Sequence, residues 1–134
     1  MKKIIIILAI TLLCASMVFA FTTKDLAGLK GTWEGTGTNA AGLSVHVTLE
    51  IMNDTQPLQA KLTFTQLPEK AKSDYGIPDP AVGVSNDGKI TSDRTIVFTG
   101  ENGFFELQYI DKDKNLKGWG YFKGFKANVI LKKK

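Results

Sequence analysis

The amino-acid sequence predicts an all-β protein, an antiparallel up-and-down barrel of about eight strands with a short N-terminal helical turn. Apolar and polar residues alternate over successive segments, which is the period of strands with one buried face. Turn residues separate these segments, and Asn102-Gly103 is a strong hairpin signal. The first and last strands are both well formed, so pairing them would remove the exposed edges of the sheet. A closed barrel satisfies all three observations.

The first twenty residues have the order of a secretory signal peptide. Lys2 and Lys3 precede an apolar run from Ile4 to Leu13, and the segment ends in Val18-Phe19-Ala20. We predict cleavage after Ala20, which gives a signal peptide, residues 1–20, and a single β-barrel domain, residues 21–134. An uncleaved membrane anchor is the alternative, and the short segment with a weakly charged downstream flank disfavours it. We expect no transmembrane segment after cleavage.

Loss of the leader changes the composition of the domain. Cys14 is the only cysteine, so the mature domain has no disulfide, no thiolate metal ligand and no cysteine nucleophile. An exported small domain without disulfides is more typical of a bacterial periplasmic or secreted protein than of an animal extracellular module. The formal net charge falls from +4 to +2 without Lys2 and Lys3, and Lys132 to Lys134 form the C-terminus. This basic tail gives no clustered basic face, so we expect no nucleic-acid partner.

The domain begins with a short helix followed by the first strand. Residues Thr22 to Leu29 can form one or two helical turns, with Thr23 as the N-cap and Gly28 near the end. Residues Thr32 to Thr38 then form the first strand. Glycines inside this strand allow the barrel to bend tightly or another backbone to approach closely.

The clearest pattern lies in the second and third strands. From Leu43 to Ile51 every odd position is apolar and every even position between them is polar, so each set occupies one face. Residues Leu58 to Phe64 repeat the pattern after a turn around Asn53 to Pro57. The two segments predict one long hairpin.

The later strands are shorter. Each is bounded by turn residues, including Asn86-Asp87-Gly88 and the charged segment from Asp111 to Asn115. The predicted strands are Lys89–Ser92, Thr95–Thr99, Phe104–Tyr109, Leu116–Phe122 and Phe125–Leu131.

One long segment, Leu67 to Gly88, interrupts the meander. It exceeds the usual length of a connection in a compact domain, and such loops are often lids or binding loops. Tyr75, Ile77 and Val82 give it apolar side chains between prolines. We predict an ordered loop over one mouth of the barrel, acting either as a lid or as a plug.

The Gly31-Thr32-Trp33 motif at the start of the first strand, with the eight-strand meander, resembles the lipocalin-like barrels of the calycin superfamily. The resemblance implies that Gly31 permits a close chain approach and that Trp33 packs across the closed end. It also implies a basic residue of the last strand over this tryptophan. The only arginine is Arg94, outside the last strand, so Lys126 or Lys132 would take that place. The chain is shorter than an ordinary lipocalin and lacks a second family signature.

Aromatic residues on the inward faces suggest two functions. They can line a cavity for a small apolar or amphipathic molecule, and an eight-strand barrel can hold one such ligand. The residues assigned to this site are Phe64, Tyr75, Ile77, Phe105 and Tyr109. Alternatively the barrel is filled, and the protein binds another envelope protein through surface loops or an outward pair, Trp119 and Tyr121.

The residues give little support for catalysis or metal binding. His46, the only histidine, falls on the predicted outer face of the second strand. The Asp111-x-Asp113-x-Asn115 segment resembles the start of a calcium loop, but Leu116 replaces the required glycine. We therefore expect that the protein is not an enzyme and has no catalytic residue, metal or cofactor. We also expect it to be a monomer.

Overall fold

Eight antiparallel strands close into an up-and-down barrel, which confirms the predicted fold class. The computed structural model describes residues 23–91, 94–101, 103–110 and 112–134, and the predicted signal peptide lies outside these residues. Within the described ranges, no helix is both long and apolar enough to cross a membrane. The elements are α1 (Thr23–Leu29), β1 (Gly31–Thr38), β2 (Ser44–Ile51), β3 (Leu58–Thr65), α2 (Glu69–Tyr75), β4 (Ala81–Ile90), β5 (Thr95–Gly100), β6 (Gly103–Ile110), β7 (Asn115–Phe122) and β8 (Phe125–Lys133).

Pairing of β1 with β8 closes the barrel. The ladder extends from Trp33 opposite Lys133 to Thr38 opposite Asn128. A Cβ atom at Gly35 would overlap the backbone carbonyl oxygen of Ile130, so this close approach requires glycine. Because the first and last strands pair, neither is left as an open edge.

The alternating faces of the strands form one apolar interior. In β2 the odd residues from Val45 to Ile51 are buried, and in β3 the even residues from Leu58 to Phe64 face them across the hairpin. The same alternation in β8 buries four residues with exposed neighbours between them, namely Phe125, Ala127, Val129 and Leu131. The period-two pattern of the sequence therefore sets the inward face of these strands.

Trp33 closes one end of the barrel beneath helix α1. Its side chain is 1% exposed, and its Nε1 donates a hydrogen bond to the Leu29 carbonyl oxygen at 2.8 Å. Lys133 Nζ donates to the Gly28 carbonyl oxygen at 2.6 Å and lies 5.9 Å from the centroid of the Trp33 ring. The two acceptors are carbonyl groups at the C-terminal end of α1. Carbonyl groups at this position have no hydrogen-bond donor within the helix.

The basic residue over Trp33 is Lys133 rather than Lys126 or Lys132. In an antiparallel ladder, Lys133 lies directly opposite Trp33, whereas Lys126 is seven residues away along β8. Gly31 precedes this cluster with a φ of 131°, a conformation that favours glycine, and a Cβ there would lie 3.1 Å from Lys133 Cε. The close chain approach implied for Gly31 is thus present.

A second cation completes the closed end. Arg94 Nη2 lies 3.3 Å from Asp25 Oδ1 of α1, and the Arg94 guanidinium lies 5.1 Å from the centroid of the Tyr109 ring. Tyr109 packs edge-on against Trp33 with ring centroids 6.2 Å apart. Helix α1 is therefore attached to the barrel through side chains of β1, β8 and the β4–β5 connection.

The prediction of an irregular segment from Leu67 to Gly88 is wrong. It contains helix α2 and most of β4, so the Asn86-Asp87-Gly88 sequence is strand rather than turn. The helix ends at Gly76, whose φ of 64° places it in the left-handed region. On its exposed surface, a hydrogen bond from the Lys72 ammonium to Glu69 raises the pKa of Lys72.

We predict that Trp33→Ala lowers the free energy of unfolding by about 3–5 kcal/mol, because it removes a fully buried indole from the closed end. Urea unfolding followed by far-UV circular dichroism measures this change. The other tryptophan, Trp119, is half-buried on the outside of β7, and Trp119→Ala should cost only about 1–2 kcal/mol. A loss below about 1 kcal/mol for Trp33→Ala would contradict its structural role.

Candidate ligand-binding cavity

The end of the barrel opposite Trp33 is divided into two halves. The β1–β2, β5–β6 and β7–β8 turns and helix α2 all lie at this end, because odd-numbered strands finish there. One half is packed by the segment containing α2. The other half contains a cavity between β4 and the β5–β6–β7 strands.

Helix α2 and the residues beside it fill the first half. Ile77 is 3% exposed, and Leu67 and Ala71 are also buried. The remaining space beside Ile77 and Phe125 is about 10 Å³, too small to hold more than a single water molecule. The Leu67 N–H donates to Asp79 Oδ2 at 3.2 Å, which joins the two ends of the segment. The segment therefore acts as a plug on this side.

Three phenylalanine rings separate the plugged half from the cavity. Phe64 stacks on Phe105 with centroids 5.8 Å apart, and it contacts Phe122 at 5.5 Å. Phe105 and Phe122 line both the small space and the larger cavity. This aromatic partition gives the cavity one rigid wall of ring surfaces.

The cavity has a volume of about 270 Å³ and extends from the barrel interior to the surface. Its size lies just below the range of about 300–1,000 Å³ that is usual for ligand pockets. Inward side chains of β2, β3, β5 and β6 form its inner part, and residues of β4, the β5–β6 turn and β7 form its mouth. The lining residues are Leu49, Ala60, Leu62, Val82, Gly83, Val84, Ser85, Phe98, Gly100, Glu101, Gly103, Phe104, Phe105, Tyr121 and Phe122.

Small residues on the inward face of β4 explain why this half is not filled. Ala81, Gly83 and Ser85 lie opposite Phe64, Leu62 and Ala60 of β3, while Val82 and Val84 point outwards. This arrangement inverts the usual pattern, in which the larger apolar residues of a strand face the core. The inward methyl and hydroxymethyl groups leave volume that valines would have occupied.

An apolar collar surrounds the mouth. We use this name for Val82, Val84 and Tyr121, whose exposed fractions are 49%, 56% and 40%. All three line the cavity, although each belongs to the outward face of its strand. Exposed apolar side chains grouped around a cavity mark a functional surface more reliably than scattered ones.

Polar groups in the cavity are few. Ser85 is 8% exposed and lies within the apolar wall, whereas Glu101 is exposed at the mouth. Glu101 and Tyr121 are the ionisable side chains among the described lining residues. Across the described parts of the chain, no three His, Cys, Asp or Glu side chains are grouped as metal ligands. The site can therefore enclose an apolar molecule and form a small number of hydrogen bonds with it.

The structure separates the five residues that the sequence assigned to a ligand site. Phe105 lines the cavity, whereas Phe64 and Ile77 pack around the small space in the plugged half. Tyr75 packs edge-on against Phe125, with centroids 5.5 Å apart. Tyr109 lies at the closed end against Trp33, far along β6 from the mouth. A ligand in the cavity would meet Phe105, with Phe64 behind it.

The outward pair on β7 differs in exposure. Tyr121 is 40% exposed, but Trp119 is half-buried. Phe104 contacts the Trp119 ring edge-on at 4.8 Å, and Lys126 Nζ lies 4.6 Å from its centroid. Much of the Trp119 ring is therefore covered by the protein itself, and Tyr121 belongs to the collar.

Sequence reasoning missed the β4 contribution to the site. The signal was present as Ala81-Val82-Gly83-Val84-Ser85, an alternation of small residues with valine. If the segment is a loop, its alternation does not indicate which residues face the barrel interior. Only the pairing with β3 shows that the small residues face inwards.

Comparisons of this chain with protein-family models, curated proteins and solved structures gave no match.

We predict that Ala60→Leu is tolerated, with a change in unfolding free energy below about 1 kcal/mol, because the added carbons enter the cavity. Ala127→Leu is the matched control, since Ala127 borders the 10 Å³ space of the plugged half. Overpacking there should cost about 1–3 kcal/mol. Urea unfolding of both variants measures the difference, and equal losses would argue against an unfilled volume beside Ala60.

Proposed function

We propose that the protein is an exported, lipocalin-like binding protein that holds a small apolar or amphipathic ligand in the open end of its barrel. The cavity of about 270 Å³ beside Phe105 is the observation that carries this proposal. The alternative, a protein-binding module, requires a filled barrel. A cavity with an apolar collar supports ligand binding over that alternative.

The ligand is small and mainly apolar. If a water molecule occupies about 30 Å³ in the liquid, the cavity accommodates a molecule of about nine non-hydrogen atoms. Phenylalanine rings and aliphatic side chains form most of its wall, so burial of apolar ligand surface supplies the driving force. The mouth at Val82 and Tyr121 allows a longer ligand to extend into solvent.

Features of the closed end support membership of the calycin superfamily. Trp33 caps the barrel beneath a short helix, and a cationic side chain of the last strand lies over its ring. Gly31 provides the tight chain approach that the resemblance implies. This end would be structural, and ligand binding would be confined to the opposite end.

Isopropylbenzene, with nine non-hydrogen atoms, tests the binding function. We predict that it shifts the backbone amide resonances of Gly83, Gly100 and Gly103, which line the cavity, while Gly31 at the closed end is unaffected. Titration followed by ¹H–¹⁵N correlation spectra measures the affinity. Ala60→Leu should weaken binding at least tenfold by occupying the cavity, whereas Ala41→Leu, which adds the same atoms to an exposed turn, should leave it unchanged. Unchanged spectra for the unmodified protein would refute the binding site.

Export is tested by the mass of the protein recovered from bacteria expressing the full-length chain. We predict that it accumulates outside the cytosol and begins at Phe21, because the leader has the three regions of a signal peptide. Intact-mass spectrometry of the envelope and culture fractions measures this. A full-length cytosolic product would contradict the proposal. Leu8→Arg, which places a charge in the apolar region, should block processing.

A further inference from the structure

Ser85 is a buried polar side chain inside the apolar cavity. Among the described residues, Ser85 and Asn115 are the two buried polar residues, and Asn115 lies at the closed end of the barrel, where β7 begins. The Ser85 Oγ accepts a hydrogen bond from the Asp87 N–H at 3.4 Å. This bond is long and uses only the acceptor capacity of the hydroxyl. The hydroxyl proton has no protein acceptor within the described residues.

We propose that the Ser85 hydroxyl donates a hydrogen bond to an uncharged oxygen of the ligand, so that the cavity selects neutral carbonyl compounds over hydrocarbons of the same shape. This inference rests on the proposed function of the cavity. A buried donor without a partner costs free energy, and a ligand oxygen would satisfy it. A few such polar groups within an apolar wall commonly determine which ligand binds.

The same cavity disfavours carboxylates. Its described lining residues include no lysine, arginine or histidine, and the one carboxylate among them, Glu101, would repel an anion at the mouth. Lys123 Nζ lies 6.0 Å from the centroid of the Phe122 ring, but Lys123 does not line the cavity. A buried carboxylate would therefore lose its hydration without gaining a cationic partner. The preferred ligand is neutral.

Three ligands of nine non-hydrogen atoms test this selectivity: acetophenone, isopropylbenzene and benzoate. They share a phenyl ring and differ in the group that can reach Ser85. We expect acetophenone to bind about three- to tenfold more tightly than isopropylbenzene, which corresponds to one neutral hydrogen bond. Benzoate should bind more weakly than both. Amide chemical-shift titrations give the three Kd values, and the Ser85 and Asp87 resonances should respond to acetophenone more than to isopropylbenzene.

Ser85→Ala identifies the residue responsible. It should remove the preference for acetophenone and leave isopropylbenzene affinity within about twofold, because the cavity keeps its apolar wall. Ser44→Ala is the matched control: Ser44 is exposed at the start of β2, where its Oγ lies 3.0 Å from Thr38 Oγ1. That variant should retain the full preference.

The outcomes separate the two proposals. If isopropylbenzene binds and acetophenone has no advantage, or if Ser85→Ala keeps the advantage, the role of Ser85 is refuted while the apolar binding site stands. If benzoate binds most tightly, the selection of neutral ligands is refuted. If none of the three binds, both the binding function and the selectivity are refuted.

Discussion

The pairing of β1 with β8 is the constraint on which the rest of the structure depends. It joins the first and last strands of the barrel, and at its margin Lys133 faces Trp33 across the ladder. The same lysine side chain reaches the Gly28 carbonyl, and the Trp33 indole reaches Leu29. Closure of the sheet and attachment of helix α1 therefore use the same two residues, Trp33 and Lys133. Without closure, both strands would expose unpaired backbone groups.

This coupling concerns one end of the barrel only, and the opposite end contains the cavity. Tyr109, Trp33 and the Arg94–Asp25 ion pair pack the closed end. The ion pair is about three-quarters buried on each side, where solvent screens it less than at an exposed surface. The opposite end retains volume that is not filled by side chains. A ligand site placed on such a rigid barrel loses little entropy of ordering on binding.

The fold was predictable because most strands carry a one-sided pattern. The buried residues alternate with polar ones in β2 and with exposed ones in β8, and a register slip by one residue would expose the whole apolar set. The site was predictable only in part. Phe105 follows from alternation, but the ends at which Tyr109 and Tyr75 lie depend on strand register and on helix α2, neither of which a local pattern determines. Lys133 was overlooked because only the cross-strand register places it opposite Trp33.

The inverted pattern of β4 links the fold to the proposed function. A Cβ added at Gly83 would lie 3.8 Å from the Phe122 ring, so inward valines on β4 would reduce the cavity. Gly83 and Ser85 therefore bury less apolar surface than valines would. The outward valines place further apolar surface in water, which is a second cost. One strand therefore carries two unfavourable features, and both border the same cavity. A ligand that fills the interior and covers the collar would offset both costs. The stability of the unliganded fold does not explain the arrangement, because both features reduce it.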